Sequence, residues 1–240
     1  MGLKIAYIGL TLLTILFLVI IGNKAINDSS INSKKDKTVL ILALFVWQIF
    51  IFGLSSTDFL KSYDFPPRFA IAFIIPSFIF TGIFLYRSRN KNWIKSIPEQ
   101  WIIYFQSFRI LVEILFVFSV AQGIFNYQVT IEGYNFDMIF AFTAPIIAFL
   151  VYNKNVLSRK ILIVWNYLGL SVLASVIFLF LTSVYKPEIY GSELPLLPLE
   201  SMTYPYVLIA GFLMPAAVFL HILSILQLRE EKPVANNGYN

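Results

Sequence analysis

The stretch Leu3–Ile21, LKIAYIGLTLLTILFLVII, holds a single charged side chain, Lys4, and its reading decides the fold. At a helical rise of about 1.5 Å per residue it is long enough to cross a hydrocarbon layer roughly 30 Å thick. Its apolar run exceeds that of an ordinary leader, it ends in Gly22-Asn23-Lys24 without a small-x-small cleavage pattern, and its positive charge lies mostly after it, so a retained membrane helix is expected. Six more stretches read the same way: Thr38–Ser55, Arg68–Tyr86, Trp101–Phe125, Phe136–Tyr152, Ile161–Tyr185 and Tyr204–Leu228, of which Phe136–Tyr152 is the shortest. The pattern predicts an all-α polytopic bundle of seven transmembrane helices in one domain, residues 1–228, followed by a short tail at 229–240.

Composition agrees. Of 240 residues 58% are hydrophobic and 13% charged, whereas a soluble surface requires roughly a quarter or more of charged residues. The net charge of +5 comes without the exposed aromatic–basic clusters of a nucleic-acid groove, so the partner it implies is the lipid bilayer and not nucleic acid. Cysteine is absent, which removes disulfides, thiolate metal sites and thiol catalysis.

Lysine and arginine set the orientation. Lys24, Lys34, Lys35, Lys37, Arg87, Arg89, Lys91, Lys95, Lys154, Arg159, Lys160, Arg229 and Lys232 fall on one side of the predicted spans, and Lys4, Lys61, Arg68 and Lys186 on the other. By the positive-inside rule the thirteen face the cytoplasm, which places the N-terminus outside and the C-terminus in the cytoplasm. Adding or deleting one span would scramble the alternation. Trp93, Trp101 and Trp165 fall near the predicted cytoplasmic boundary, where amphipathic rings prefer to lie. On the opposite side, residues 186–203 form a long, proline-rich and still apolar connection, expected to pack over the bundle mouth either as an ordered loop or as a lid. No fixed-period repeat is visible.

An ionisable side chain at the centre of a membrane helix costs about 3 kcal/mol on insertion scales, so each one asks for a partner or a role. The fourth span places Gln106, Arg109 and Glu113 on one stripe, with Arg109 and Glu113 spaced to neutralise each other across one turn. Arg109 lies about 6 Å nearer the cytoplasm than Glu113, which is near the midplane. His221, the only histidine, and Asn166 fall in the same cytoplasmic half, and Gln48 lies near the midplane. These residues can form one polar layer that either binds a ligand or proton or simply fixes helix packing; the unperturbed pKa of histidine, about 6.5, makes His221 the proton-handling candidate. On the outer side, Asn135 reads as a helix N-cap and Asp137 as a first-turn carboxylate, with an outward-facing ligand contact as the alternative. Pro76, Pro145 and Pro215 lie inside spans, where each frees a backbone carbonyl.

Several chemistries are disfavoured. One histidine cannot build the zinc site of a seven-helix ceramidase-type hydrolase or a bis-histidine haem within one chain, and no lysine lies between Tyr204 and Leu228 to hold retinal. No serine stands beside a glycine-rich oxyanion loop, and no Walker or dinucleotide fingerprint occurs. Enzymatic activity is disfavoured, and neither metal nor cofactor is expected.

Four groups of residues resemble the motifs of a widespread family of uncharacterised bacterial multi-pass membrane proteins of about this length. They are Gln106-Ser107-Phe108-Arg109 with Glu113; Glu132-Gly133-Tyr134-Asn135-Phe136-Asp137 followed by Thr143-Ala144-Pro145; Trp165-Asn166 with Leu168-Gly169-Leu170; and Tyr204-Pro205 with Pro215 and His221. Where those relatives carry a Pro-Gly pair in the last helix, this chain has Ala210-Gly211, so no second kink is expected there. The resemblance implies membership and no mechanism. Two functions lead: binding or transport of a small molecule, lipid or proton at the polar layer, or a non-catalytic accessory subunit that engages a membrane protein partner; an intramembrane enzyme with His221 and Glu113 as acid and base comes third.

Overall fold

A computed structural model describes residues 1–30, 32–89 and 92–229; Lys91, Lys232 and the tail from 230 onward lie outside the described residues. The chain forms an all-α bundle. Its helices are α1 (Gly2–Ser29), α2 (Ser33–Ser55), α3 (Ile75–Ser88), the short α4 (Trp93–Ser96), α5 (Glu99–Phe105), α6 (Phe108–Ala121), α7 (Asp137–Ala148), α8 (Arg159–Tyr185) and α9 (Met214–Arg229). Among the described residues six helical segments are long and apolar enough to cross a membrane: Gly2–Ser29, Ser33–Ser55, Ala70–Ser88, Glu99–Ala121, Arg159–Tyr185 and Ile209–Arg229. The expected fifth span forms an apolar helix at Asp137–Asn153, within one residue of its expected limits and shorter than those six.

Lipid supplies little hydrophobic drive for helices to associate, so packing depends on close fit between small residues and on interior hydrogen bonds. The chain shows both. Ala141, Ala144 and Ala148 give α7 a fully buried face of small residues, and α9, which packs on α3, α4, α5 and α8, is the central helix: 67% of its apolar stretch is buried, against 11% for α2. The outer surface is apolar in the way lipid requires, with Phe45, Val46, Phe80 and Phe178 among its exposed side chains.

Three wide π-helical turns interrupt the helices, at Ala70–Ile74, Phe149–Asn153 and Ile209–Leu213. The first and last end two residues before Pro76 and Pro215, where an i→i−5 bond accommodates a ring that cannot join the regular ladder. Pro215 leaves the Gly211 carbonyl without its helical donor, and the Trp47 indole of α2 donates to that oxygen at 2.9 Å. This bond ties the most lipid-exposed helix to the central one. The helix irregularity at Ala210-Gly211 is therefore present without a second proline, contrary to expectation.

The fourth span is also discontinuous. At Gln106-Ser107 the backbone makes tight i→i−3 bonds, and the Ser107 hydroxyl donates to the Tyr104 carbonyl, a local bond that competes with the helix. The break redirects the chain: both halves pack on α7, but α5 also packs on α9, whereas α6 also packs on α1.

Candidate functional site

The redirection of α6 leaves a cavity of about 90 Å³ among α6, α8 and the start of the last helical segment. Its walls are apolar, built by Val112, Phe116, Phe125, Leu173, Val176 and Leu213 among others, and its polar lining includes Arg109, Asn135 and Asp137. Leu197, Ser201 and Met202 of the 186–203 connection close it from above. That connection is pinned where Tyr63 donates to the Leu197 carbonyl at 2.9 Å and Leu196 N–H donates to the Ser183 carbonyl at 2.8 Å. Burial, with the Glu200 carboxylate nearby, pushes the Tyr63 phenol above its ordinary range.

Arg109 is 2% exposed and is the centre of a network that runs through the bundle. The expected turn-to-turn pair with Glu113 is not made. The Arg109 Nη2 faces Asp137 Oδ1 of α7 at 3.1 Å, and its Nη1 donates to His221 Nε2 of α9 at 2.9 Å. Because guanidinium can only donate, Nε2 must accept; because Asn166 Oδ1 can only accept, the His221 Nδ1–H donates to it at 2.8 Å. The imidazole is thus held neutral in one tautomer. A proton added at Nε2 would set N–H against N–H, which argues against His221 as a proton carrier. Asn166 Nδ2 completes this arm by donating to the Leu162 carbonyl at 2.7 Å and to Ser224 Oγ at 3.0 Å.

Glu113 serves the other arm. Its Oε1 accepts the Ile131 N–H at 2.6 Å and its Oε2 accepts Asn135 Nδ2 at 3.0 Å, while Asn135 Oδ1 takes the Asp137 N–H at 3.0 Å. Ala121, where α6 ends, is eight residues beyond Glu113, or about 12 Å along the axis, so the 122–136 segment turns back into the bundle to reach it. Non-helical backbone at such depth is stable only when protein satisfies it, and Glu113 and Asn135 do so here. Asn135 and Asp137 were expected at the outer face; the inward fold of this segment draws both into the Arg109 network.

Glycines set two of these positions. A Cβ on Gly133 would lie 2.5 Å from the Gln128 Cα, and one on Gly169 would lie 2.4 Å from His221 Cε1 and 2.8 Å from Phe140 Cε1. Phe140 itself stacks on Trp165, whose indole donates to Thr143 Oγ1 at 2.8 Å, and its ring lies 5.2 Å from the Arg109 guanidinium carbon. Phe140, Thr143, Gly169 and Ser224 belong to the site's frame without having been singled out as site residues; Phe140 and Ser224 each follow a network residue by three positions, the helical spacing that could have indicated them.

Gln106 donates to the Ala217 carbonyl at 3.3 Å and so braces α9 below the cavity, while Gln48 stands apart, its Nε2 unpartnered. Among the described residues no three His, Asp or Glu side chains gather to hold a metal. Within the protein, Arg109 Nε and Nη2 and Asp137 Oδ1 make no hydrogen bond, the 3.1 Å contact between the latter two being out of line for one. These buried atoms can still donate and accept.

The fold and the site define a multi-pass helical membrane protein with a buried polar network. No protein-family model, curated protein or solved structure matches the chain, so the functional reading stands on its residues.

Proposed function

We propose that this is a single-domain, seven-span protein of a bacterial inner membrane, N-terminus outside, that binds a small molecule or lipid in the cavity above Arg109. The count of seven takes Asp137–Asn153, with the re-entrant 122–136 segment, as one crossing, and the thirteen-to-four charge asymmetry supports the orientation. One observation carries the reading: a buried guanidinium with unused N–H groups lines a largely apolar cavity. Burying such donors unpaired costs free energy that a ligand acceptor would recover. Arg109 and Asp137 are then the ligand contacts, Asn166 and His221 orient Arg109, and Glu113 and Asn135 position the segment bearing Asp137. Gln106 keeps α5 against α9.

Native mass spectrometry of the full-length protein released from lipid nanodiscs tests this. A bound mass retained by the wild type and lost in Val176→Phe, which fills the cavity, is the expected result; identical spectra at equal folding yield would refute it. The second reading, an accessory subunit, draws on how fully Glu113, Asn135, Asn166 and His221 spend their hydrogen bonds on one another. It predicts one specific membrane partner in crosslinking and no retained small molecule.

A further inference from the structure

We infer that the occupant is a neutral amphiphile whose head both accepts and donates hydrogen bonds, a hydroxyl or primary amide on a single apolar chain, and that it enters sideways from the bilayer. The inference rests on the binding role proposed for this cavity and adds the chemical class.

The head follows from the unused atoms. Arg109 offers N–H donors at Nε and Nη2, and Asp137 Oδ1, in ionic contact with Nη2 but out of line for a hydrogen bond, keeps its acceptor capacity; all are buried and on two side chains that line the same cavity. A hydroxyl can accept from the first and donate to the second at once; a permanent anion can only accept, and a quaternary ammonium can do neither. Charge points the same way. Arg109 and Asp137 neutralise each other, and Glu113, whose two oxygens both accept N–H groups, already adds a carboxylate to the network. An anionic head would set a third negative charge against one guanidinium in a medium where unpaired charge is costly.

The route follows from burial along the cavity lining. Arg109, Val112, Phe116, Leu173 and Leu213 are buried, whereas Phe69, Ile177, Phe180, Ile209, Ala210 and Met214 are half-buried and come from the start of the third span, from α8 and from the last helical segment. The side chains next to this rim, Ile71, Ile75 and Phe178, are large, apolar and exposed. That face meets lipid, so an apolar chain can extend between the third span and α8 while its head reaches Arg109. The cavity itself, about 90 Å³, is smaller than the roughly 150 Å³ engineered cavity that admits benzene, and so suits a head with its first carbons and not a whole lipid.

The test uses the full-length protein in phospholipid nanodiscs and a photoreactive 1-decanol with a diazirine in its chain, the crosslinked residues being mapped by mass spectrometry. Competitors are compared at equal mole fraction in the bilayer. 1-Decanol and decanamide are expected to displace the label at least tenfold more effectively than decyl sulfate, decyltrimethylammonium or 1-butanol, with crosslinks on α6 and α8 lost in Val176→Phe or Leu173→Phe. Asp137→Asn, which removes one negative charge, is expected to narrow the gap between decanol and decyl sulfate. Decyl sulfate competing as well as decanol would overturn the head assignment, and 1-butanol competing equally would overturn the lipid source; in both cases cavity binding survives. Labelling that fails to saturate, or that neither cavity-filling variant reduces, would overturn the binding role as well.

Discussion

Gly169→Ala is the substitution whose cost the packing sets most sharply. The new methyl would sit 2.4 Å from His221 Cε1 and 2.5 Å from Nε2, about 1 Å short of ordinary contact, with the Phe140 ring at 2.8 Å on the other side. A flexible side chain would swing aside. His221 cannot, because Arg109 holds one nitrogen and Asn166 the other. Either α8 and α9 move apart, an overpacking cost of about 1–3 kcal/mol, or the imidazole gives up its bond to the guanidinium, worth about 1.5–3 kcal/mol. The cheaper response sets the loss, expected at about 1–3 kcal/mol. Reversible unfolding in mixed detergent micelles would measure it, with Gly82→Ala of α3 as the control. That methyl would meet nothing within 4 Å, and alanine should stabilise the helix there by about 0.5–1 kcal/mol. In a His221→Ala background the Gly169→Ala cost should fall by at least about 1 kcal/mol, the coupling typical of residues in contact. If Gly169→Ala proves as harmless as Gly82→Ala, the tight packing of α8 on the histidine is wrong.

Three further outcomes follow from the geometry. Trp47→Phe removes the donor to the Gly211 carbonyl and should cost about 1 kcal/mol, falling towards zero in Pro215→Ala, where the helix supplies its own N–H; an unchanged cost would show that the indole bond is not compensating for the proline. Gly133→Ala forces the re-entrant backbone off Gln128 and should speed amide exchange at Ile131 and Asn135 at least tenfold, whereas unaltered protection would contradict the inward fold of 122–136. Since the chain has no cysteine, single cysteines can be placed freely. Ser192→Cys should react with an impermeant maleimide on intact cells and Lys154→Cys only after permeabilisation, and the reverse pattern would invert the proposed orientation.

Most of the architecture was legible because lipid imposes a simple rule: apolar runs of about 20 residues become helices, and breaks between them carry charge. The exception lies next to Phe136–Tyr152. That helix forms within one residue of the expected limits, but the segment before it folds inward, where Glu113 accepts the Ile131 N–H and Asn135 the Asp137 N–H. Helical spacing alone paired Arg109 with Glu113; the choice of Asp137 instead depends on a chain reversal that no local periodicity encodes. Of the remaining members of the polar layer, His221 meets Arg109 and Asn166 joins it through His221, because residues costly to bury in lipid seek polar partners, whereas Gln106 turns to the Ala217 carbonyl. Gln48 does not join them.

In the proposed binding role the spare N–H groups of Arg109 meet an occupant of the cavity. Solid-state NMR of protein labelled with ¹⁵N-arginine, in the lipids of the membrane that produced it, reads this directly, the Arg109 Nε resonance being assigned by its loss in Arg109→Lys. The expected result is a hydrogen-bonded Nε–H whose shift and exchange rate differ between the wild type and Val176→Phe. Identical resonances in the two proteins, with the fold retained, would contradict it.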